Sequence, residues 1–197
     1  MKLKPNPLLA RSDARAIRAL EKYRKFKFDP AYIADLKRVH GGIPTSQSFI
    51  TPNGNEYRIG RLLTTFDHKS KLTPPEQSSW EFPGTDEREV RSISTLIDQE
   101  GPSCRYLFSG ERVIPFGALY RGDLHPDGNS LTQIDCNLVC FDNAKSPIPS
   151  VVVWHGYAAQ DEYMTWESGD LDAEPNYDAF LEPVAESYSE FVNLLKA

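Results

Sequence analysis

The stretch from Phe28 to Phe49, FDPAYIADLKRVHGGIPTSQSF, holds a helix start, a helix stop and the first β-type residues of the chain. Asp29-Pro30 is the start: an aspartate at the N-cap accepts from the free amides of the first turn, and a proline at the first helical position loses no hydrogen bond there. The stop is Gly41-Gly42-Ile43-Pro44. Gly41 can take the left-handed conformation that closes a helix, Gly42 loosens the exit, and Pro44 forbids continuation. Between start and stop, Ile33 and Leu36 with Tyr32 and Val39 form one apolar stripe at helical spacing. The spacing predicts a helix from Pro30 to about His40 that turns abruptly into a strand.

Upstream, residues 13–26 place Ile17, Leu20 and Tyr23 at helical spacing, with Arg15, Arg18, Lys22 and Arg24 elsewhere on the circumference. That pattern predicts an amphipathic helix able to pair with the one after it. Downstream, SQSFIT and EYRIGRLLTTF are β-type runs parted by PNGN, where Asn53-Gly54 favours a tight hairpin. Residues 67–84 are polar and proline-rich and read as a long surface loop, with Trp80 its largest apolar residue. Asp86 and Glu89 make a capping-box pair that opens a helix from about Glu87 to Glu100, with Val90, Ile93 and Ile97 as its stripe and Gly101-Pro102 as its end.

Strand-like segments follow at CRYLFSG, ERVIPFG, LTQIDCNLVCFD and SVVVWHG and, with a weaker pattern, at EYMTWES. Turns separate them at Ser109-Gly110, at Asp127-Gly128-Asn129 and at Pro147 to Pro149. Ser187 with Glu190 is a second capping box, opening a last helix that carries Tyr188, Phe191, Val192 and Leu195 inward. Short strands joined by tight turns, with no repeat and no β-α-β alternation, define an α+β class. A single domain is expected, with a twisted, mainly antiparallel sheet and helices at both ends of the chain packed on it.

At 197 residues, 40% hydrophobic and 25% charged, the chain is long enough for one well-filled core. It has no apolar run long enough for a membrane span, and MKLKPNPLLARSD lacks the apolar region of a signal peptide, so the expected location is the cytoplasm. Cys104, Cys136 and Cys140 are an odd number, which argues against a disulfide framework and agrees with reduced thiols. The net charge of −6 hides an asymmetry: residues 1–40 carry eleven Lys and Arg against four acids, while residues 146–195 carry ten acids and no Lys or Arg. Such a charge distribution steers a basic partner toward the acidic end.

Candidate chemistry is sparse. His40-Gly41-Gly42 is superficially like an oxyanion-hole glycine pair, but no G-x-S-x-G elbow accompanies it and a helix end explains both glycines. Cys136 and Cys140, four apart on a strand, point the same way about 13 Å apart, too far for one metal or one disulfide. A zinc site would have to recruit His125 or His155. His125 with Asp123 and Asp127 has the residue types of an acid/base site, yet RGDLHPDGNS also has the composition of a turn. The basic first helix lacks the interleaved aromatic residues of a phosphate-reading surface, and direct nucleic-acid binding is not expected.

The tract VVVWHGYAAQDEYMTWESGDLDAEPNYDAF is different in kind. Tyr157, Tyr163 and Trp166 lie among Asp161, Glu162, Glu167, Asp170 and Asp172, a mixture suited to a protein-binding surface in which aromatics anchor and acids choose a basic partner. Trp154, directly after SVVV, reads instead as a core residue.

Leu20-Glu21 in the first helix and FDPAYIADLKRVHGGIP as the helix ending on a Gly-Gly turn resemble the opening of the SUKH superfamily, which includes yeast glucan-synthesis regulators of the Smi/Knr type and many bacterial toxin-immunity proteins. VIPFG, the turn HPDGN and the strand QIDCNLVCFD are similar to the family's next segments. SVVVWHG looks like its following strand, although the acid usual after the strand aromatic is replaced by His155-Gly156, and VAESYSEFVNLL looks like its closing helix. The likeness runs from about Ala16 to Leu195, with residues 67–101 as an enlargement.

The resemblance implies a binding scaffold without catalytic residues, cofactor or metal. Its leading expectation is an immunity protein acting on a cognate toxin domain, and the acidic, aromatic C-terminal third points to a basic partner such as a nuclease domain. The other expectation is a regulatory adaptor for protein–protein interactions. The expected partner-binding residues are Trp80, Tyr157, Asp161, Glu162, Tyr163, Trp166, Glu167, Asp170 and Asp172.

Overall fold

In the computed structural model, which describes residues 3–4, 17–18, 21–22, 26–39, 43–62, 112–120, 134–144, 147–170, 172–173 and 175–195, helix α1 spans Pro30–Val39. Asp29 caps it twice: its Oδ1 accepts from the Ala31 amide at 2.7 Å and its carbonyl from the Ile33 amide at 3.0 Å. Tyr32 and Leu36 are the fully buried residues of the stripe, and Ile33 is half-buried at its margin. Lys37 and Arg38 sit in the last turn, where the helix dipole favours cations. Backbone at Ile17, Arg18, Glu21 and Lys22 is helical, in the expected upstream helix. Buried Glu21 accepts from the Phe28 amide at 3.1 Å and so ties that helix to the approach of α1.

The Gly41-Gly42 turn lies outside the described residues, as do the expected strand CRYLFSG, the loop at residues 67–84, the helix at Glu87 to Glu100 and the turn HPDGN. The chain resumes in β2, Ile43–Pro44, which pairs antiparallel with β1, Leu3–Lys4. Six further strands form one sheet whose spatial order is the chain order: β3 Ser48–Ile50, β4 Glu56–Leu62, β5 Val113–Tyr120, β6 Ile134–Asp142, β7 Ser150–Trp154 and β8 Leu181–Ala185. Every neighbouring pair is antiparallel. The α+β class and the antiparallel sheet therefore agree with the sequence pattern.

The β3–β4 hairpin closes over Pro52-Asn53-Gly54, with the Thr51 amide on the Asn55 carbonyl and the Gly54 amide on the Thr51 carbonyl, both at 2.9 Å. Gly54 has φ +86°, so this is a three-residue loop with glycine at its left-handed position rather than a two-residue turn. In β5, Pro115 cannot donate to a ladder although it lies on an interior strand. A bulge resolves the conflict: Pro115 pairs with Cys140 and Gly117 with Val139, leaving Phe116 as the extra residue.

The bulge aims Phe116 at the core. Its ring stacks on Phe141 at 4.1 Å, and Tyr32 of α1 closes on both rings at 5.4 and 5.1 Å. Helix α3, Tyr188–Leu194, adds Tyr188 and Phe191 to the same cluster. Its cap is the expected one: Ser187 Oγ accepts from the Glu190 amide at 3.2 Å, and the Glu190 carboxylate reaches back to the Glu186 amide at 2.9 Å. Residues opposite each other in register share a face, so Val151 and Val153 line this side with Phe141 and Val139. Leu138, Cys140, Val152 and Trp154 line the other, and all are buried. Trp154 is thus a core residue, edge-on to Phe180 at 6.1 Å.

One strand expectation is wrong. EYMTWES is helical: it ends α2, Gly156–Glu167, which covers β6. The run Ala158-Ala159-Gln160-Asp161-Glu162 consists of residues that for the most part favour helix, and it carries YMTW with it. Ser168 and Gly169 then stop the helix, with Gly169 at φ +86°. The Gly169 amide bonds to the Trp166 carbonyl and the Asp170 amide to the Thr165 carbonyl, the pair of bonds of a Schellman ending.

Candidate functional site

Helix α2 positions most of the residues expected to bind a partner. Gly156 and Ala159 are buried and Tyr163 and Trp166 half-buried, so these four positions form the seam against the body of the protein. Asp161, Glu162, Met164 and Glu167, on the rest of the circumference, are exposed, and exposed Asp170 and Asp172 follow beyond the helix end. Tyr163 and Trp166 pack against each other with ring centroids 5.7 Å apart, and the Tyr163 hydroxyl donates to Glu167 at 3.2 Å.

The exposed acids are therefore distributed around the solvent side of α2, with Glu162 one turn from Trp166 and Glu167 one turn from Tyr163. Met164, 51% exposed, is the large apolar side chain among the acids. Tyr157 lies on the first turn of α2, with its side chain outside the described residues, and Trp80 lies outside them altogether.

A second polar constellation was not expected from the sequence. Glu182 on β8 is buried, and its Oε1 accepts from Thr51 Oγ1 and from Asn55 Nδ2 at 2.9 Å. Its Oε2 accepts from the Tyr57 hydroxyl at 2.7 Å and meets His155 Nε2 at 3.0 Å. Desolvation pushes the Glu182 carboxyl up, but the hydrogen bonds from Thr51, Tyr57, Asn55 and His155 outweigh it and hold the group below its ordinary value. Burial, then the bond to Glu182 and its charge, push the Tyr57 phenol up. Thr51, Asn55 and Tyr57 belong to the β3–β4 hairpin and Glu182 to the strand at the far end of the sheet order, so the sheet curls until its margins meet.

A third group joins Arg112 to Asp142 through two bonds of 2.8 and 3.0 Å and to Asp178 at 2.7 Å. These bonds hold the guanidinium charged, against the opposing effect of its partial burial.

Cys140 is buried, with its thiol 3.9 Å from the Leu138 carbonyl, and the ring of His155 is engaged by Glu182. Among the described residues no three His, Cys, Asp or Glu side chains are grouped to hold a metal ion, and no helix is long and apolar enough to cross a membrane. His125, Asp123 and Asp127 lie outside the described residues. No protein-family model matches the chain, and neither a curated protein nor a solved structure matches it.

Proposed function

We propose that this chain is a cytoplasmic, non-catalytic binding protein of the SUKH type, an immunity protein that binds a cognate bacterial toxin domain and blocks its active site or its access to substrate. The observation that carries the reading is the exposure of Asp161, Glu162 and Glu167 on α2 and of Asp170 and Asp172 after it, together with the Tyr163–Trp166 pair on the same helix. Acids of one sign raise the encounter rate with a basic domain, and an aromatic pair supplies the anchor that such an interface needs. The family part of the reading rests on the sequence resemblance, and the α+β class with its antiparallel sheet is compatible with it. The matching partner is a basic, nuclease-type toxin domain, and inhibition by occlusion requires no cofactor.

The test is a rescue. The chain is co-expressed with the toxin-like domain encoded beside it, survival is scored, and the complex is isolated. Restored growth with a one-to-one complex is the expected result. Death of the cells with nothing co-purifying overturns the immunity reading and leaves the regulatory adaptor, which would be sought by an unbiased partner search.

A further inference from the structure

Glu182 contacts two parts of the surface that are remote in the chain, the β3–β4 hairpin and the head of α2. Thr51, Asn55 and Tyr57 reach it from the hairpin, and His155 reaches it from the residue preceding α2. We infer that Glu182 is a positioning residue that makes the hairpin and the head of α2 one mechanical unit, so that a displacement at the exposed hairpin tip is transmitted to α2 through His155.

His155 is built as a joint. Its amide donates to the Phe180 carbonyl at 3.0 Å, its carbonyl accepts from the Ala159 amide at 3.1 Å, and its ring meets Glu182. The ring makes no capping bond to the helix and meets Glu182 instead. The Tyr57 ring lies 6.1 Å from that of His155. A carboxylate offers about four acceptor positions, and four donors occupy those of Glu182. A hairpin that moves away must therefore draw the carboxylate with it or leave a buried charge short of partners, and either course disturbs His155. Pro52, Asn53 and Gly54 at the tip are exposed, so the tip is open to a contact that would move it.

The experiment perturbs one end and reads the other, on the isolated full chain. Amide hydrogen exchange is measured in the wild type, in Thr51→Val, in His155→Leu and in the double variant. The Ala159 amide reports the joint, and the Val139 and Val153 amides report the centre of the sheet. Thr51→Val is expected to speed exchange at Ala159 by about fivefold while Val139 and Val153 are unchanged, and the two substitutions are expected to be non-additive by a similar factor. Glu182→Gln should abolish that non-additivity. If Glu182→Gln does not fold, Tyr57→Phe removes one hydroxyl from the same carboxylate and should reproduce the Ala159 effect. Faster exchange confined to residues 51–55, or an equal rise at every amide, overturns the inference. No partner enters the measurement, so its outcome is separate from that of the rescue.

Discussion

The Asp29 carboxylate accepts the Tyr188 amide at 3.0 Å, 159 residues along the chain, while its other oxygen caps α1 through the Ala31 amide at 2.7 Å. One buried side chain thus serves the first turns of two helices and fixes α3 against α1. Asp29→Ala removes a cap and leaves the buried Tyr188 amide without this acceptor, at a combined cost of about 2–4 kcal/mol. Asp29→Asn keeps one oxygen and should cost less. Urea unfolding of the three proteins checks this, and equal losses for Ala and Asn would mean that the bond Asn retains contributes nothing.

Glu182 gives the protein a defined acid sensitivity. Its folded-state pKa lies below the ordinary 4.5, so the unfolded chain binds the proton more tightly. The stabilisation is complete above the unfolded value and is lost as pH falls through the folded one. The urea midpoint should therefore decline below about pH 4.5, and it should decline less steeply in Glu182→Gln. At neutral pH that variant, whose amide nitrogen faces donors, should be less stable by about 2 kcal/mol. Parallel pH curves for the two proteins would exclude Glu182 as the source.

Local signals were legible in the sequence, and long-range ones were not. Asp29-Pro30, the Tyr32–Leu36 stripe, the glycine at Gly54 and the Ser187–Glu190 box each declare their structure within a few residues. The α2 segment was misread because YMTW favours strand locally and its helix is secured by neighbours on both sides, the alanines before it and Gly169 after it. The surface acids were found because exposure follows composition. The Glu182 cluster was missed because three of its four partners lie 125–131 residues away. The signal that could have raised it is an acid at the inward parity of LEPVA, in step with buried Val184.

The bulge at Phe116 makes a stability prediction of a different kind. Phe116 is fully buried and contacts rings from β6, α1 and α3, so Phe116→Ala should cost about 3–5 kcal/mol and loosen both helices together. Phe116→Leu retains most of the volume and should lose less than half as much. A calorimetric melt distinguishes the two, and a small effect of Ala would mean that the cluster closes over the gap.

Arg112 binds Asp142 with two nitrogens and Asp178 with the third. Arg112→Lys keeps the charge but loses the fork, and because the group is about one-third exposed the loss should be only about 0.5–1 kcal/mol. The same substitution in an Asp142→Asn background should cost almost nothing. A full cost in that background would place the role of Arg112 elsewhere.

The exposed acids of α2 separate electrostatics from fold. Asp161, Glu162, Glu167 and Asp170 are exposed, so replacing all four with Lys should leave the folded structure intact, although stability shifts of a few tenths of a kcal/mol per site are expected. Association with a basic toxin domain should slow by at least about tenfold at low salt, and its dependence on ionic strength should flatten or invert. Stopped-flow association at two salt concentrations measures both quantities. Trp166→Ala, on the same helix, should instead act mainly on dissociation, since a packed aromatic holds a complex after charge has assembled it. Unchanged association in the four-site variant would remove α2 from the interface, whatever the rescue had shown.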